Sequence, residues 1–170
     1  MNTVDTARIL VDWKCNLKCS YCCNEQERFR SGITPIKLGE IDFSKYKVVC
    51  ISGGEPLLFL DRVQEVCGLT NLDSLRIIYS NGLLWTDEIA RKLVHSGVNA
   101  ANIGLHYPHT FHKIIHQVEL ATLGLPITTR YHVWEKYKDE MLSRYPAIPF
   151  RFWTMNDCDR SNEDRFILTQ

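Results

Sequence analysis

Four of the chain's seven cysteines, Cys15, Cys19, Cys22 and Cys23, fall within nine consecutive positions of a 170-residue sequence. The first three are spaced C-x3-C-x2-C. Thiolates are soft ligands, and this spacing gathers three of them on one loop. Structural zinc takes four ligands, commonly from separated pairs, and the sequence holds no second C-x2-C pair. A complete iron–sulfur ligand set would also use four cysteines. Three thiolates on one loop suit a 4Fe-4S cubane in which one iron keeps no protein ligand. An open coordination position is what chemistry at a metal requires. Cys23 is the alternative fourth ligand, but as the immediate neighbour of Cys22 its side chain diverges from it.

Such thiols need a frame. The segment ARILVDW (7–13) reads as a strand running into the cysteine loop. YKVVCIS (46–52) is an apolar, β-branched run ended by Gly53-Gly54, so it reads as a buried strand. SLRIIYS (74–80) is a strand stopped by the turn signal Asn81-Gly82. Further strands are predicted at 100–107, 127–134 and 148–155. Helical spacing fills the gaps at 60–69, 86–97, 110–124 and 136–145. The second of these is the best marked: Thr86 fits an N-cap, acids fill its first turn, and Gly97 fits its C-terminal side. Residues 24–45 should hold the first helix, yet Gly32, Pro35 and Gly39 interrupt it, so a short or irregular helix is expected. Six strands alternating with helices predict an α/β fold with parallel strands and right-handed crossovers. The repeats cover about residues 7–155 of a single domain spanning 1–170, with a short tail at 156–170.

Alternation within the strands favours a partial (β/α)6 TIM-like barrel. Ala101, Ile103 and Leu105 share one face and Asn102, Gly104 and His106 the other. Tyr131 and Val133 oppose Arg130 and His132, and Phe150 and Phe152 oppose Arg151 and Trp153. One face is apolar and suits packing under helices. Strands covered on both faces would read as near-continuous apolar runs instead. The polar set predicts a lumen that holds cofactor and substrate. A cluster of internal ion pairs, for example Arg151 with Asp12, is the alternative.

Two motifs, in order, resemble the radical S-adenosylmethionine (radical SAM) superfamily. One is CNLKCSYC (15–22), with Tyr21 before the third cysteine. The other is SGGEP (52–56), about thirty residues on. YSNG (79–82) is a weaker echo of a third. The resemblance implies that Cys15, Cys19 and Cys22 bind three irons of a 4Fe-4S cluster and that the fourth iron chelates S-adenosylmethionine (SAM). Tyr21 would lie near the adenine. Gly53, Gly54, Glu55 and Pro56 would meet the methionine amino end, and Ser80 and Asn81 the methionine or ribose part. Reduction then cleaves SAM to a 5′-deoxyadenosyl radical that abstracts hydrogen from substrate. Active sites of such barrels lie at the C-terminal ends of the strands, where all these residues fall. Many members carry a serine that contacts the SAM carboxylate, where this chain has Gly104. Asn102, His106 or Arg130 would have to substitute, and Arg130 has the charge for it.

Substrate is less legible. The expected substrate is a peptide or a small polar molecule, facing His106, Arg130, His132, Arg151 and Trp153. Cys158, after the last predicted strand, is a candidate hydrogen-atom donor. A glycyl-radical-enzyme activase, with a glycyl-radical protein as partner, is the second reading, prompted by CCN (22–24). A purine-like or deazapurine metabolite ranks lower. A non-enzymatic iron–sulfur or zinc module is the reading from another class. An enzyme of the resembled kind would draw electrons from a donor such as flavodoxin or ferredoxin. Twenty basic and twenty acidic residues cancel, which removes the electrostatic case for general nucleic-acid binding. No apolar run reaches the roughly 18 residues of a membrane span, and the N-terminal residues lack a signal-peptide order. A cytoplasmic location is expected, where clustered cysteines favour metal over disulfides. His112 and His116 are four apart on one helix face, a weak metal site without an acidic third ligand, and are expected to face solvent.

Overall fold

The computed structural model describes residues 4–158 and 162–169. Within them the strands are β1 (Thr6–Leu10), β2 (Ile33–Ile36), β3 (Val48–Ser52) and β4 (Leu75–Ser80), then β5 (Ala100–Leu105), β6 (Thr128–Trp134), β7 (Phe150–Trp153) and β8 (Asp164–Leu168). All eight pair in parallel in one sheet, ordered β2-β8-β1-β3-β4-β5-β6-β7. The helices are α1 (Glu27–Arg30), α2 (Leu60–Leu69), α3 (Asp87–His95), α4 (Phe111–Thr122) and α5 (Lys138–Arg144). The six predicted strands are β1 and β3 to β7, neighbours in chain order across the sheet, as right-handed strand–helix repeats require. The fold is the expected α/β partial barrel.

Two strands lie outside the expected six. β2 falls where the first helix was expected, and α1 keeps only four residues. Pro35 has no N–H to give a ladder, so its strand sits at the sheet's edge. β8 occupies the expected tail and slots between β1 and β2. Its apolar FIL run carries Ile167 into a small cluster with Leu10 and Phe29.

Local rules explain the elements. The Thr86 hydroxyl accepts the N–H of Ile89 and starts α3. At its other end Val98 N–H returns to Leu93 O and Gly97 N–H to Val94 O. That closure needs a left-handed residue, supplied by Gly97 at φ 89°. Alternate strand residues point outward and pack under the helices. Ile9, Ile51, Ile78, Ile103 and Val133 are fully buried among Val63, Leu93, Val118 and Met141. Cutting any one of these isoleucines to alanine would cost about 2–5 kcal/mol. The helix-covered face therefore carries the fold, and the opposite face is free to carry chemistry. Among the described residues no helix is long and apolar enough to cross a membrane.

Candidate active site

The polar face of the sheet and the cysteine loop enclose a cavity of about 580 Å³. Its wall includes Cys15, Cys19, Cys22, Tyr21, Gly53, Gly54, Ser80, Asn81, Asn102, His106, His132 and Arg151, twelve of the predicted site residues. They come from the cysteine loop and from the ends of β3 to β7.

The loop is fastened by backbone. Gly54 N–H donates to Asp12 O at 2.8 Å and Glu55 N–H to Lys14 O at 2.9 Å. Gly53 has φ 132°, and a Cβ at either glycine would overlap a backbone carbonyl, Asp12 for Gly53 and Lys14 for Gly54. The paired glycines thus let the end of β3 lie against the chain entering the cysteine loop. The Asn24 amide donates to Gly53 O, and Tyr107 Oη to Lys18 O at 3.2 Å.

Glu55 does not face the cavity. Its side chain is 1 % exposed and accepts three hydrogen bonds. Leu57 N–H (3.1 Å) and the Ser80 hydroxyl (2.8 Å) donate to one oxygen, and Asn81 N–H (2.8 Å) to the other. Burial pushes its carboxyl above the ordinary range, with the three donors acting the other way. Asn81 passes the linkage on: its side-chain amide donates to Asn16 in the cysteine loop at 2.7 Å. Pro56 is buried in the 3-10 turn that follows. Glu55 and Pro56 therefore support the cavity wall rather than form it.

The far wall is set by register. Gly104 pairs with His132, and His132 with Arg151, so one row crosses β5, β6 and β7. A Cβ at residue 104 would come within 2.6 Å of His106 Nε2, so the imidazole occupies the space that a larger side chain there would take. Burial lowers His106 to about 4, and its Nδ1 is buried with no partner. Tyr21 donates to His106 O and packs against Trp134 and Trp153 at 4.3 and 5.9 Å between ring centres.

Several expectations are corrected. Arg130 is exposed and absent from the cavity wall. β7 pairs only from Tyr131 onward, so nothing in the sheet covers the β7-side flank of Arg130. Cys158 is fully buried and disulfide-bonded to Cys23, so in this state it has no thiol hydrogen to give. The same bond takes Cys23 out of the ligand set. Asp12 pairs with Arg62 at 3.3 Å, not with Arg151. His112 and His116 are exposed, as expected. Arg8 was missed: it lines the cavity, lies 4.4 Å from the Tyr79 ring centre and pairs with Glu163 at 2.6 Å. Alternation with Ala7, Ile9 and Val11 could have found it; nothing in the local sequence points to Glu163.

The donor set fits an iron–sulfur cluster. Cys19 is pushed up to about 11 by burial and by its neighbours Cys22 and Cys15. Cys22 is also raised, by burial first. Bringing soft thiolates this close is costly, and a cationic cluster relieves it. Among the described residues no three Cys, His, Asp or Glu side chains converge as a single metal ion would need.

Comparison with known proteins bears on the same residues. The radical SAM superfamily profile matches residues 14–122. A probable GTP 3′,8-cyclase of Methanococcus aeolicus is 33% identical over 135 residues, covering 72% of this chain and 45% of that protein. A GTP 3′,8-cyclase of Picosynechococcus sp. is 32% identical, covering 68% and 39%. The chain thus spans less than half the length of these relatives. Coproporphyrinogen III oxidase from Escherichia coli shares the fold with a TM-score of 0.59 at 10% identity, covering 96% of this chain and 43% of that one. BtrN in complex with AdoMet and 2-DOIA has a TM-score of 0.51 at 17% identity, covering 75% and 56%.

Proposed function

The chain belongs to the radical SAM superfamily, and on that premise we propose that it cleaves SAM reductively and abstracts hydrogen from a small, polar, anionic substrate. One observation carries the reading: a single cavity joins the three-thiol loop to a wall bearing Arg8, His106, His132 and Arg151. The family's 4Fe-4S cluster and SAM supply the one-electron cleavage and the hydrogen abstraction. Cys15, Cys19 and Cys22 would hold the cluster. Tyr21, Gly53, Gly54, Ser80, Asn81 and Asn102 line the cavity near them and would bind SAM. Glu55 keeps Ser80 and Asn81 in place through its three hydrogen bonds. His106, standing over Gly104 and lining the cavity, would take the position of the missing serine. Arg151 and His132 sit side by side and would orient the substrate's anionic group; guanidinium groups bind such anions bidentately. Tyr21 and Trp153 give one part of the wall an aromatic surface, with Trp134 packed behind Tyr21. A flavodoxin or ferredoxin would supply the electron.

The curated relatives' names favour a purine nucleoside triphosphate as that anion. GTP is therefore the first substrate to offer, ahead of a peptide or a glycyl-radical protein.

The test is anaerobic. The protein is reconstituted with iron and sulfide and given SAM and a strong reductant, and 5′-deoxyadenosine is measured by mass spectrometry. The Cys15→Ala, Cys19→Ala, Cys22→Ala triple variant should drop to background. GTP should raise the yield above that of an unphosphorylated nucleoside. Iron binding without any SAM cleavage would overturn the proposal.

A further inference from the structure

Cluster ligation leaves part of the cysteine chemistry unused. Cys23 follows Cys22 and is bonded to Cys158, 135 residues away, with the Cα atoms 5.4 Å apart. Cys23 lines the cavity, while Cys158 is fully buried in the 3-10 turn Met155–Cys158 beyond β7. A second tie joins the same two segments: the Arg28 guanidinium donates to the carbonyl of Met155. β7 ends the sheet at one side and β2 at the other, so among the described residues no ladder closes the barrel between them. The Cys23–Cys158 bond fastens the loop leaving β1 to the exit of β7, across the side that hydrogen bonding leaves open.

The other five cysteines are not disulfide-bonded. Three of them sit on the loop that Cys23 ends, and as ligands they work only as reduced thiolates. A disulfide beside them meets the same reductants. Exchange requires only thiolate attack on a reachable sulfur, and Cys23 borders the cavity.

We propose that Cys23 and Cys158 form a reversible thiol–disulfide clasp. Oxidised, it holds the cysteine loop against the β7 exit and keeps Cys19 and Cys22 half-buried; reduced, it frees the loop to open. In closing, two S–H bonds of the protein and the S–S bond of a small-molecule disulfide break. The Sγ–Sγ bond forms, and the oxidant leaves as thiol carrying the two protons and two electrons. A dithiol reverses the exchange. The clasp is independent of the proposed reaction, because it is read on the full chain before any cluster is installed.

The protein without cluster is incubated with oxidised glutathione, or with a phosphine that is then removed. Cross-linked peptides are mapped by mass spectrometry, and N-ethylmaleimide labelling of the half-buried Cys19 and Cys22 is followed in time under native conditions. The expected result is a Cys23–Cys158 peptide in the oxidised sample, with labelling about tenfold slower than in the reduced one, as local opening becomes rarer. Cys23→Ser and Cys158→Ser should label at the fast rate in both samples. If either variant fails to fold by circular dichroism, the two wild-type samples decide alone. Absence of the Cys23–Cys158 peptide, or equal labelling rates in the wild-type samples, would overturn the clasp.

Discussion

The two walls of the cavity are built on different principles. On the β3–β4 side the polar atoms are spent on one another: Glu55 holds Leu57, Ser80 and Asn81, and Asn81 holds Asn16. On the β5–β7 side the groups come from three neighbouring strands and face inward. His106 keeps an unpartnered Nδ1, and Arg151 lines the cavity while remaining exposed. A satisfied buried network is rigid, because removing one member leaves several orphans. A wall of inward-facing side chains carried on separate strands can instead be matched to a ligand. The first wall suits a cofactor that does not vary, and the second suits a substrate.

The contrast breaks first, and with the largest effect, at Glu55. Glu55→Ala leaves the Leu57 and Asn81 N–H groups and the Ser80 hydroxyl without their acceptor. Each buried orphan costs about 1–3 kcal/mol, so a total loss of roughly 3–5 kcal/mol is expected in urea unfolding. Arg151→Ala on the other wall, an exposed side chain, should change stability by less than about 1 kcal/mol. Equal losses would show that both walls are structural networks.

How far each wall could be read from sequence follows the same division. The cysteine spacing, the glycine pair and the strand alternation are local patterns, and they located the cysteine loop, the β3 and β4 ends and the core face. Asn102, His106, His132 and Arg151 also followed from alternation, because side-chain direction has a period of two. Alternation gives a face but not a position across the sheet. Arg130 shares the inward phase with His132, yet lies one row before β7 begins. The Arg8–Glu163 pair and the Cys23–Cys158 bond join residues 155 and 135 positions apart. Only the folded chain shows them, and β8, which brings Glu163 beneath the cavity, looked like a tail.

A smaller effect sharpens the description of the second wall. Burial lowers His106 to about 4 from the ordinary 6.5. Between those values the unfolded chain binds a proton that the folded chain refuses. Stability is therefore full above pH 6.5 and falls as pH drops toward 4, by up to about 3 kcal/mol. Other groups titrate in the same range, so the measurement is the wild-type curve minus that of His106→Asn. That difference should be flat above pH 6.5 and sloped below it. A flat difference throughout would mean that His106 is solvated, and the second wall would lose its one buried imidazole.

The smallest stability effect separates two arginines that the sequence treats alike. Arg151 lines the cavity in register with His132; Arg130 is exposed outside it. Neither replacement by alanine should move stability by more than about 0.5 kcal/mol, since both are surface changes in the folded chain. Their effects on turnover should diverge. Removing a charge-assisted contact to an anionic substrate costs about 1.5–3 kcal/mol, so Arg151→Ala should raise KM by roughly 10- to 100-fold. Arg130→Ala should leave KM within about twofold, because an exposed charge outside the cavity contributes only a screened, long-range attraction. The same KM change for both variants would make the arginines a shared field rather than a contact. The second wall would then steer its substrate without holding it.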